Sequence, residues 1–414
     1  MAGRGDRDCR AALVRREPGG GRGPVNGLRL PRPVEEHLLG RPIRTVLTPA
    51  DRRSLSGQRV LVTGAGGSIG AELTHQIAAC GPERLVLLDH GEYSVFRLEQ
   101  ELRARHPDVE VEVVLGDVSR RSDMRAVCAS LRPHVVYHAA AYKHVTIAER
   151  SVVPAVRTNV LGTLETARAA KEAGARFVLI SSDKAAEPHS VMGATKRLAE
   201  IVALGMASAG FRPIAVRFGN VLGSSGSLVE IMDGCVREGR NIPVTHPDAT
   251  RFFMTASEAV SLVLKADLIG RRAEVFWLDM GEPLRIGDLA ARFVGRMTPA
   301  GRPRIGIDVI GLRAGEKMHE ELTTQGLAMR STSHPRILSA RQRRVAPEAV
   351  AAAVRSLRRG VAGGDAEAVL WAMEQVVDDF AASTAAWTAA RASAGPRRRL
   401  HIAGRPSDRA PAPA

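Results

Sequence analysis

Residues 60–70 read VLVTGAGGSIG, an apolar run that leads into a glycine-rich turn and then into helical spacing. Gly64, Gly67 and Gly70 stand in a G-x-x-G-x-x-G pattern. The first glycine permits a tight turn, the second lets the backbone approach a pyrophosphate, and the third lets the helix pack on the strand. The stretch therefore predicts a strand–turn–helix unit that binds the phosphates of a dinucleotide.

A carboxylate follows this turn at the distance typical of a dinucleotide site. Asp89 comes nineteen residues after Gly70, at the end of the next predicted strand, where it is placed to bind the adenosine ribose hydroxyls. Ser68 and Ile69 open the helix whose N-terminus faces the phosphates. An acidic residue favours NAD over NADP, because a 2′-phosphate would meet a like charge, although Arg97 leaves NADP open. The alternative is a glycine turn and a capping aspartate with no ligand.

Short apolar strands alternate with helical lengths along the middle of the chain. The predicted strands, each rich in β-branched residues, are 59–66, 84–90, 109–118, 133–141, 176–183 and 212–220, with predicted helices over 68–80 and 93–105. Strands that alternate with helices form parallel sheets with right-handed crossovers. The pattern predicts an α/β fold with a doubly wound parallel sheet.

The formal net charge of +15 is concentrated at the two ends of the chain. Residues 1–44 carry ten Arg against five Asp or Glu, and residues 391–414 carry six Arg against one Asp. Aromatic residues are few and do not interleave with basic ones, so nucleic-acid binding is not expected. Glycine, proline and charge predict disordered basic tails over 1–45 and 391–414, because too little apolar surface is left to offset ordering entropy.

The cysteines and the apolar runs indicate in which cellular compartment the protein works. Cys9, Cys80, Cys128 and Cys235 are scattered without a C-x-x-C pair, which argues against a zinc site or a disulfide framework and fits a reducing cytoplasm. No apolar run approaches the length of a membrane span, and the N-terminus lacks the apolar core of a signal peptide. The sequence predicts a soluble, cytoplasmic protein without a metal.

The stretch SSDKAAEPHSVMGATKRLAE (181–200) holds the candidate proton-transfer groups. They follow a predicted parallel strand, at the sheet edge where such folds bind ligands, or lie on the helix after it: Ser182, Asp183, Lys184, His189 and Lys196. Met192 stands four residues before Lys196, and a methionine cannot transfer a proton. The alternative is a surface ion pair between Asp183 and Lys184 and a solvated Lys196 on the helix.

Together these motifs resemble the extended short-chain dehydrogenase/reductase superfamily, and within it the polysaccharide-biosynthesis group of UDP-N-acetylglucosamine 4,6-dehydratases. Eight segments carry the resemblance: VLVTGAGGSIG (60–70), HAAAYKHV (138–145), TNVLGT (158–163), SSDKAAEPHSVMGATKR (181–197), VRFGNVLGSSGSLV (216–229), VTHPDATRFFM (244–254), LDMGEP (278–283) and GLRAGEKMHEEL (311–322). Met192 matches a branch of this group that has Met in place of Tyr and an Asp-Lys pair upstream.

The resemblance implies a Rossmann-type sheet with a smaller C-terminal substrate-binding subdomain over residues 57–345. The nucleotide-binding core would cover 57–215 and 255–280, and the substrate-binding parts 216–254 and 281–345. Residues 346–390 are rich in alanine and predict a helical extension. Family members commonly form dimers or higher oligomers, so we expect a homo-oligomer.

The resemblance also implies an internal redox cycle on a UDP-sugar. Hydride leaves sugar C4 for NAD(P), a base removes the C5 proton, the C6 hydroxyl departs as water, and hydride returns to C6. Lys184 corresponds to the C5 base, for which its pKa must be lowered by its surroundings, and Asp183 to the C6 acid. The acceptor of the C4-hydroxyl proton stays open among Asp183, Lys184, a water held by Ser182 and, less favoured, His189. Met192 would pack against or shape the site.

Further contacts are carried over from the matched motifs. The expected cofactor contacts outside the glycine turn are Asp89, Asp117, Val118, Ala139, Ala140, Lys143, Asn159 and Lys196, the last binding the nicotinamide ribose. The expected substrate contacts are Lys143, His144, Asn220, Arg251, Arg313 and Glu316, with the arginines facing the diphosphate and Glu316 the uridine ribose. An Asp before a helix, as at Asp117, is as often an N-cap.

Three positions depart from the usual family pattern. Thr146, Glu230 and Ala314 each stand where proline is common, and Glu230 falls in a segment that shapes the sugar pocket. The exact sugar is therefore open. Two other functions also stay open: a C4 or C5 epimerase on the same scaffold, and a non-catalytic NAD-binding protein that uses its basic tails.

Overall fold

One large β-sheet organises the part of the chain that the structure, a computed structural model, describes: residues 27–298, 305–321, 328–340, 345–378 and 380–393. The strands in chain order are β1 (Arg59–Thr63), β2 (Arg84–Asp89), β3 (Val111–Leu115), β4 (Val135–His138), β5 (Arg176–Ile180), β6 (Ile214–Arg217), β7 (Asn220–Val221), β8 (Ile242–Val244), β9 (Thr250–Arg251), β10 (Phe253–Met254), β11 (Glu274–Leu278), β12 (Leu284–Arg285), β13 (Ile307–Val309), β14 (Arg330–Ser331) and β15 (Ile337–Ala340).

Helices connect and cover these strands. They are α1 (Arg32–Leu39), α2 (Pro49–Leu55), α3 (Ser68–Ala78), α4 (Glu92–Arg105), α5 (Arg121–Leu131), α6 (Val145–Arg150), α7 (Val152–Val156), a π-helical turn (Arg157–Gly162), α8 (Thr163–Glu172), a 3₁₀ turn (Asp183–Ala185), α9 (Val191–Leu204), α10 (Leu228–Glu238), α11 (Ala256–Ile269), α12 (Ile286–Met297), α13 (Pro347–Gly363), α14 (Ala366–Glu374) and α15 (Thr384–Ser393). Among the described residues no helix is both long and apolar enough to cross a membrane.

The main sheet has the order β14-β15-β11-β6-β5-β4-β1-β2-β3 in the described residues. From β3 to β11 neighbouring strands run parallel, and β15 and β14 are added antiparallel at one edge. The chain moves outward from β1 in one direction through β2 and β3, and in the other through β4, β5 and β6. This reversal at β1 opens a crevice at the carboxyl ends of β1 and β4, where doubly wound folds bind ligands. The predicted fold class is confirmed.

The two faces of the sheet carry separate apolar layers. On one face α3, α4 and α11 pack through fully buried residues such as Leu73, Leu98 and Val260. On the other face α5, α8 and α9 pack through smaller ones such as Cys128 and Ala170. Strands buried on both sides read as nearly continuous apolar runs, which is the pattern that the sequence shows.

The C-terminal helices form a further layer outside the second face. Three helices, α13, α14 and α15, occupy the range for which the sequence predicts a helical extension. Leu357, Leu370 and Met373 are fully buried against a cluster that also holds Val156 and Met192. The extension therefore supports the helix on which Lys196 lies.

Two sequence-based boundaries are wrong. Residues 27–45 are not disordered: α1 lies there, with a buried face that packs on α10 and α12 through Val34 and Leu38. The apolar residues of this segment are few, but those of the helix are buried together in one apolar cluster, and this burial offsets their ordering entropy. Residues 330–340, assigned to the substrate-binding part, instead extend the main sheet as β14 and β15. Residues 1–26 and 394–414 lie outside the described residues.

Replacement of Leu38 tests whether α1 belongs to the folded body. Its side chain is fully buried, so Leu38→Ala should lower the free energy of unfolding by about 2–5 kcal/mol, because a cavity replaces the leucine. The exposed neighbour His37 supplies the control, and His37→Ala should change stability by less than about 0.5 kcal/mol. Denaturant titration measures both. Equal, small effects would mean that α1 does not stabilise the fold.

Candidate active site

The glycine turn after β1 is shaped by close backbone contacts. Gly64 has a positive φ of 67°, and a Cβ there would lie 2.5 Å from the amide nitrogen of Ala140. A Cβ on Gly70 would lie 2.0 Å from the carbonyl oxygen of Gly64, so the helix approaches the turn closely. Gly67 is the N-cap of α3 and makes no side-chain cap. These contacts leave the first N–H groups of α3 facing the crevice, as an anion site requires.

Asp89 contacts the glycine turn directly. One carboxylate oxygen accepts a hydrogen bond from the Gly66 N–H at 2.8 Å, and the other accepts one from the Gly91 N–H at 2.9 Å. Its side chain is largely buried at the end of β2. Asp89 therefore joins the turn after β1 to the turn after β2, and its expected contact with a ribose stays a prediction.

Other predicted cofactor residues surround this turn. Ala139 continues β4 through a hydrogen bond from its N–H to the Thr63 carbonyl, at 3.0 Å. Asp117 accepts bonds from both the N–H and the hydroxyl of Ser119, each at 2.8 Å, which is a local turn rather than a helix cap. Val118 is buried and fills the space beside Gly162, and Ile69 packs against the core.

Asn159 links the loop after β4 to α9. Its side-chain oxygen accepts a bond from the Tyr142 N–H at 2.8 Å, and its amide donates to the Tyr142 carbonyl and to the Thr195 hydroxyl, each at 2.9 Å. Asn159 is almost fully buried. All of these bonds are internal, so in this structure the residue positions the loop and does not point to a ligand.

Asp183 and Lys184 form a buried pair at the carboxyl end of β5. Asp183 Oδ1 accepts hydrogen bonds from the Ser182 hydroxyl at 2.8 Å, from the Lys184 N–H at 2.9 Å and from Lys184 Nζ at 3.0 Å. The Asp183 side chain is only 1% exposed. Its second oxygen, Oδ2, is buried and has no hydrogen-bond partner in the described residues. A buried carboxylate oxygen without a partner is costly and is typical of a functional site.

A second carboxylate lies beside Lys184. Glu320 Oε1 is 3.4 Å from Lys184 Nζ, and the Asn220 side-chain oxygen lies at the same distance from that nitrogen. Asn220 was predicted as a substrate contact, whereas Glu320 was not singled out. Its motif, GLRAGEKMHEEL (311–322), contains several glutamates, and spacing alone does not show which of them folds back to Lys184.

The charge state of Lys184 differs from the expectation for a base. Burial by itself would lower the pKa of Lys184, but the carboxylates of Asp183 and Glu320 outweigh burial and raise it above its ordinary value. The predicted lowering of this pKa is therefore wrong for the protein without ligands. Opposite charges within hydrogen-bond distance stabilise the ammonium form.

Lys196 and Met192 lie on the first turns of α9. Lys196 Nζ donates a hydrogen bond to the Ile180 carbonyl, the last in β5, at 2.9 Å. Burial lowers the pKa of Lys196 to about 8, although the carboxylate of Glu200 opposes this. Met192 is 3% exposed and belongs to the apolar cluster shared with the C-terminal helices. Met192 therefore packs in this cluster, and its expected influence on the shape of the site stays a prediction.

Arg251 and Arg313, which were expected to bind a diphosphate, have different surroundings. Arg251 is buried and donates to the carbonyls of Thr250, Lys317 and Met318 at 2.7–3.1 Å. Arg313 is exposed, and its backbone N–H donates to the Glu316 carboxylate at 3.1 Å. Arg251 thus holds the 317–318 backbone in place, and the expected contacts of these residues with a UDP-sugar stay predictions.

The loop before α10 lies over the start of α3. The Ser68 hydroxyl accepts a bond from the Ser225 N–H at 3.0 Å. A Cβ on Gly226 would lie 2.5 Å from the His144 ring, and the Gly226 N–H donates to the Glu230 carboxylate. Glu230 therefore fixes this loop. Lys143 and His144 are exposed beside it, and His189 is exposed with Nδ1 2.9 Å from the Glu187 carbonyl.

A fully buried ion pair supports the Asp183–Lys184 segment. Arg217 on β6 bonds both carboxylate oxygens of Glu200 on α9, at 2.7 and 2.6 Å. Glu200 also accepts a bond from the Ser181 hydroxyl at 2.6 Å, and Arg217 donates to the Ala185 carbonyl at 3.0 Å. The pair thus holds both ends of the segment that carries Asp183 and Lys184. Sequence reasoning missed it, because its partners lie on different elements.

Comparison with known proteins agrees with this arrangement. The family model described as "Polysaccharide biosynthesis protein" matches residues 60–342. The capsular polysaccharide biosynthesis protein CapD of Staphylococcus aureus is 43% identical over 69% of this chain and 48% of its own length. The chain thus spans about half the length of this relative. A UDP-N-acetylglucosamine 4,6-dehydratase (inverting) of Campylobacter jejuni is 29% identical over 64% of this chain and 76% of its own length.

Further comparisons include a different activity and two solved structures. A UDP-glucose 4-epimerase of Rickettsia canadensis is 30% identical over 64% of this chain and 77% of its own length. The structure of Pen from Bacillus thuringiensis has a TM-score of 0.64 and 28% identity, and covers 71% of this chain and 96% of Pen. DesIV, a dTDP-glucose 4,6-dehydratase from Streptomyces venezuelae solved with NAD and TYD, has a TM-score of 0.56 and 20% identity. The match covers 64% of this chain and 88% of DesIV. The last likeness is one of fold.

Neutralising Glu200 should lower the free energy of unfolding of the protein. Glu200→Gln leaves the Arg217 guanidinium buried without a countercharge, which costs about 3–5 kcal/mol in the free energy of unfolding. The exposed pair Arg240–Glu238 supplies the control, and Glu238→Gln should cost less than about 1 kcal/mol. Denaturant titration at neutral pH measures both.

The effect of Glu200 should also depend on pH. Burial alone would raise its pKa, but Arg217, Arg197 and the Ser181 hydroxyl lower it below its ordinary value of 4.5. A carboxylate with a lowered pKa stabilises the fold above its ordinary pKa and loses this contribution as the pH falls through the folded value. The difference between wild type and Glu200→Gln should therefore shrink in acid. A difference that is constant with pH would contradict the ion-pair account.

Proposed function

Because this chain belongs to the polysaccharide biosynthesis protein family, we propose that it is a nucleotide-sugar 4,6-dehydratase, with a UDP-HexNAc, UDP-GlcNAc first, as its substrate. The chain is related to nucleotide-sugar dehydratases and epimerases of polysaccharide synthesis. The observation that carries the proposal is the buried Asp183–Lys184 pair beside a dinucleotide-type glycine turn. We further propose that the protein acts in the cytoplasm as a homo-oligomer.

The residues around the glycine turn fit a dinucleotide. The missing side chain at Gly64 lets the turn after β1 lie against the Ala140 backbone, and α3 begins directly after this turn at Gly67, where its N-terminus would face a pyrophosphate. NAD bound here would supply a reversible acceptor for the hydride of the sugar. Asp89 supports NAD over NADP, because its carboxylate would repel a 2′-phosphate. Lys196 would place positive charge near the nicotinamide ribose.

Asp183 and Lys184 would divide the proton chemistry of water elimination. The Lys184 ammonium group would first pass a proton to Asp183; neutral Lys184 would then take the C5 proton, and the Asp183 carboxylic acid would give its proton to the departing C6 oxygen. Asp183 Oδ1 already has three partners, so the buried and unpartnered Oδ2, beside Gly219, is the oxygen that would take up the proton. The Glu200–Arg217 pair would keep both side chains in place, because it holds the backbone on either side of them.

Mass spectrometry of the product tests the activity. The purified protein, incubated with UDP-GlcNAc and NAD, should release a nucleotide sugar that is lighter by one water, with no lasting NADH absorbance. Lys184→Met should lower this rate by about 10²–10⁴-fold, because the base is removed. Lys171→Met, at an exposed position of α8, should retain the activity of the wild type.

The same experiment separates the competing functions. A product of unchanged mass with an inverted centre by NMR would indicate an epimerase, which the likeness to UDP-glucose 4-epimerases keeps as the second candidate. Bound NAD without any turnover on a panel of UDP- and dTDP-sugars would rule out the dehydratase and support a non-catalytic protein. NMR of a dehydrated product would also show whether C5 is inverted.

Asp89 should control the choice between NAD and NADP. Asp89→Asn removes the charge that opposes a 2′-phosphate, so the preference for NAD over NADP should fall, by about 10-fold for a charge contribution of about 1.4 kcal/mol. Calorimetric titration with each cofactor measures the ratio of the two dissociation constants. Equal losses for both cofactors would mean that Asp89 only holds the glycine turn. Asp108→Asn, at an exposed loop position, is the control.

A further inference from the structure

Glu320 is a buried carboxylate that contacts two cations of the candidate active site. Its side chain is 7% exposed, and its Oε1 lies 3.4 Å from Lys184 Nζ and 3.6 Å from Arg251 Nε. Burial of a carboxylate is unfavourable unless it is paired, so this location needs both cations. Lys184 in turn has Asp183 as its second anionic neighbour, at 3.0 Å.

The fold builds the position of Glu320 through β9. The Thr250 N–H donates to the Met318 carbonyl at 3.0 Å, and the Thr250 hydroxyl lies 2.9 Å from His319 Nδ1. The Arg251 guanidinium holds the carbonyls of Lys317 and Met318. Two neighbouring residues of β9 therefore fix the backbone immediately before Glu320. The backbone that carries Glu320 is thus held in place, and this fixes the contact between Glu320 and Lys184.

We propose that Glu320 is a positioning residue: Glu320 and Asp183 hold the Lys184 ammonium group between them. Through this contact Glu320 also sets the pH at which Lys184 loses its proton. The role of Lys184 as a base rests on the proposed function, whereas the effect of Glu320 on Lys184 does not. The proposal adds a residue from the C-terminal part of the chain to the site formed by β5 and β6.

The charged groups around Lys184 explain the expected effect. Asp183 and Glu320 favour its ammonium form, and Arg251 opposes it. Glu320 lies within ion-pair distance of both Lys184 and Arg251, so it also screens the two cations from each other. Loss of the Glu320 charge removes its attraction for the Lys184 ammonium group and leaves the repulsion between Lys184 and Arg251 unscreened. Both changes favour neutral Lys184.

Competitive labelling of Lys184 tests this directly. Trace acetic anhydride reacts only with neutral amines, and Lys184 is 19% exposed, so mass spectrometry of its peptide across the alkaline range gives the midpoint of its titration. In Glu320→Gln this midpoint should move to lower pH by about one unit or more. Glu321→Gln, at the next and exposed position, should leave it unchanged.

Two further measurements keep the test decisive. Glu320→Asp retains the charge but withdraws it by one methylene, so its midpoint should lie between those of wild type and Glu320→Gln. In the dehydration assay, the limb of the pH–rate profile that reports Lys184 should move to lower pH in Glu320→Gln. An unmoved midpoint in both Glu320 variants would overturn the proposal. Labelling needs no turnover, so a protein that fails to dehydrate UDP-GlcNAc would overturn the proposed function alone.

Discussion

The close approach of Gly64 to Ala140 is the constraint on which the crevice depends. A Cβ at this glycine would lie 2.5 Å from a backbone nitrogen of the neighbouring strand connection, well inside van der Waals contact. Because no side chain separates them, the turns after β1 and β4 meet where the strand order reverses. Asp89 then joins the same turn to the end of β2 through two backbone N–H groups.

Buried charge is the second organising feature. Glu200 and Arg217 are fully buried, and Arg217 donates two short hydrogen bonds to the Glu200 carboxylate, while Lys184 lies between two carboxylates. Desolvation disfavours each of these ions, and only close partners offset it. The same pairing orders the segment 181–185, so local stability and the geometry of the site share one set of contacts. The unpartnered Oδ2 of Asp183 stands out because almost every buried charge near it is satisfied.

Much of this architecture could be predicted from short-range patterns. The glycine spacing and the strand alternation predicted the sheet, and the position of Asp183 and Lys184 after β5 placed them at the ligand-binding edge. These short-range patterns did not predict contacts between residues that are far apart in the sequence. Glu320 reaches Lys184 through β9, Arg251 holds the carbonyls of Lys317 and Met318, and the carboxylates around Lys184 raise its pKa where a lowered value was expected. Residues 27–45 appeared disordered because their few apolar side chains gain stability only against α10 and α12.

The sequence by itself determined the fold class, the glycine turn and the location of Asp183 and Lys184 at the carboxyl end of a parallel strand. These follow from steric limits at glycine and from the periodicity of apolar residues, both of which act over a few positions. The tertiary structure alone decided which distant carboxylates and guanidinium groups surround that pair, and therefore its charge state. The physical reason is that the pKa of a buried lysine depends on desolvation and on charges within a few ångströms, and chain folding brings those charges from residues far apart in sequence.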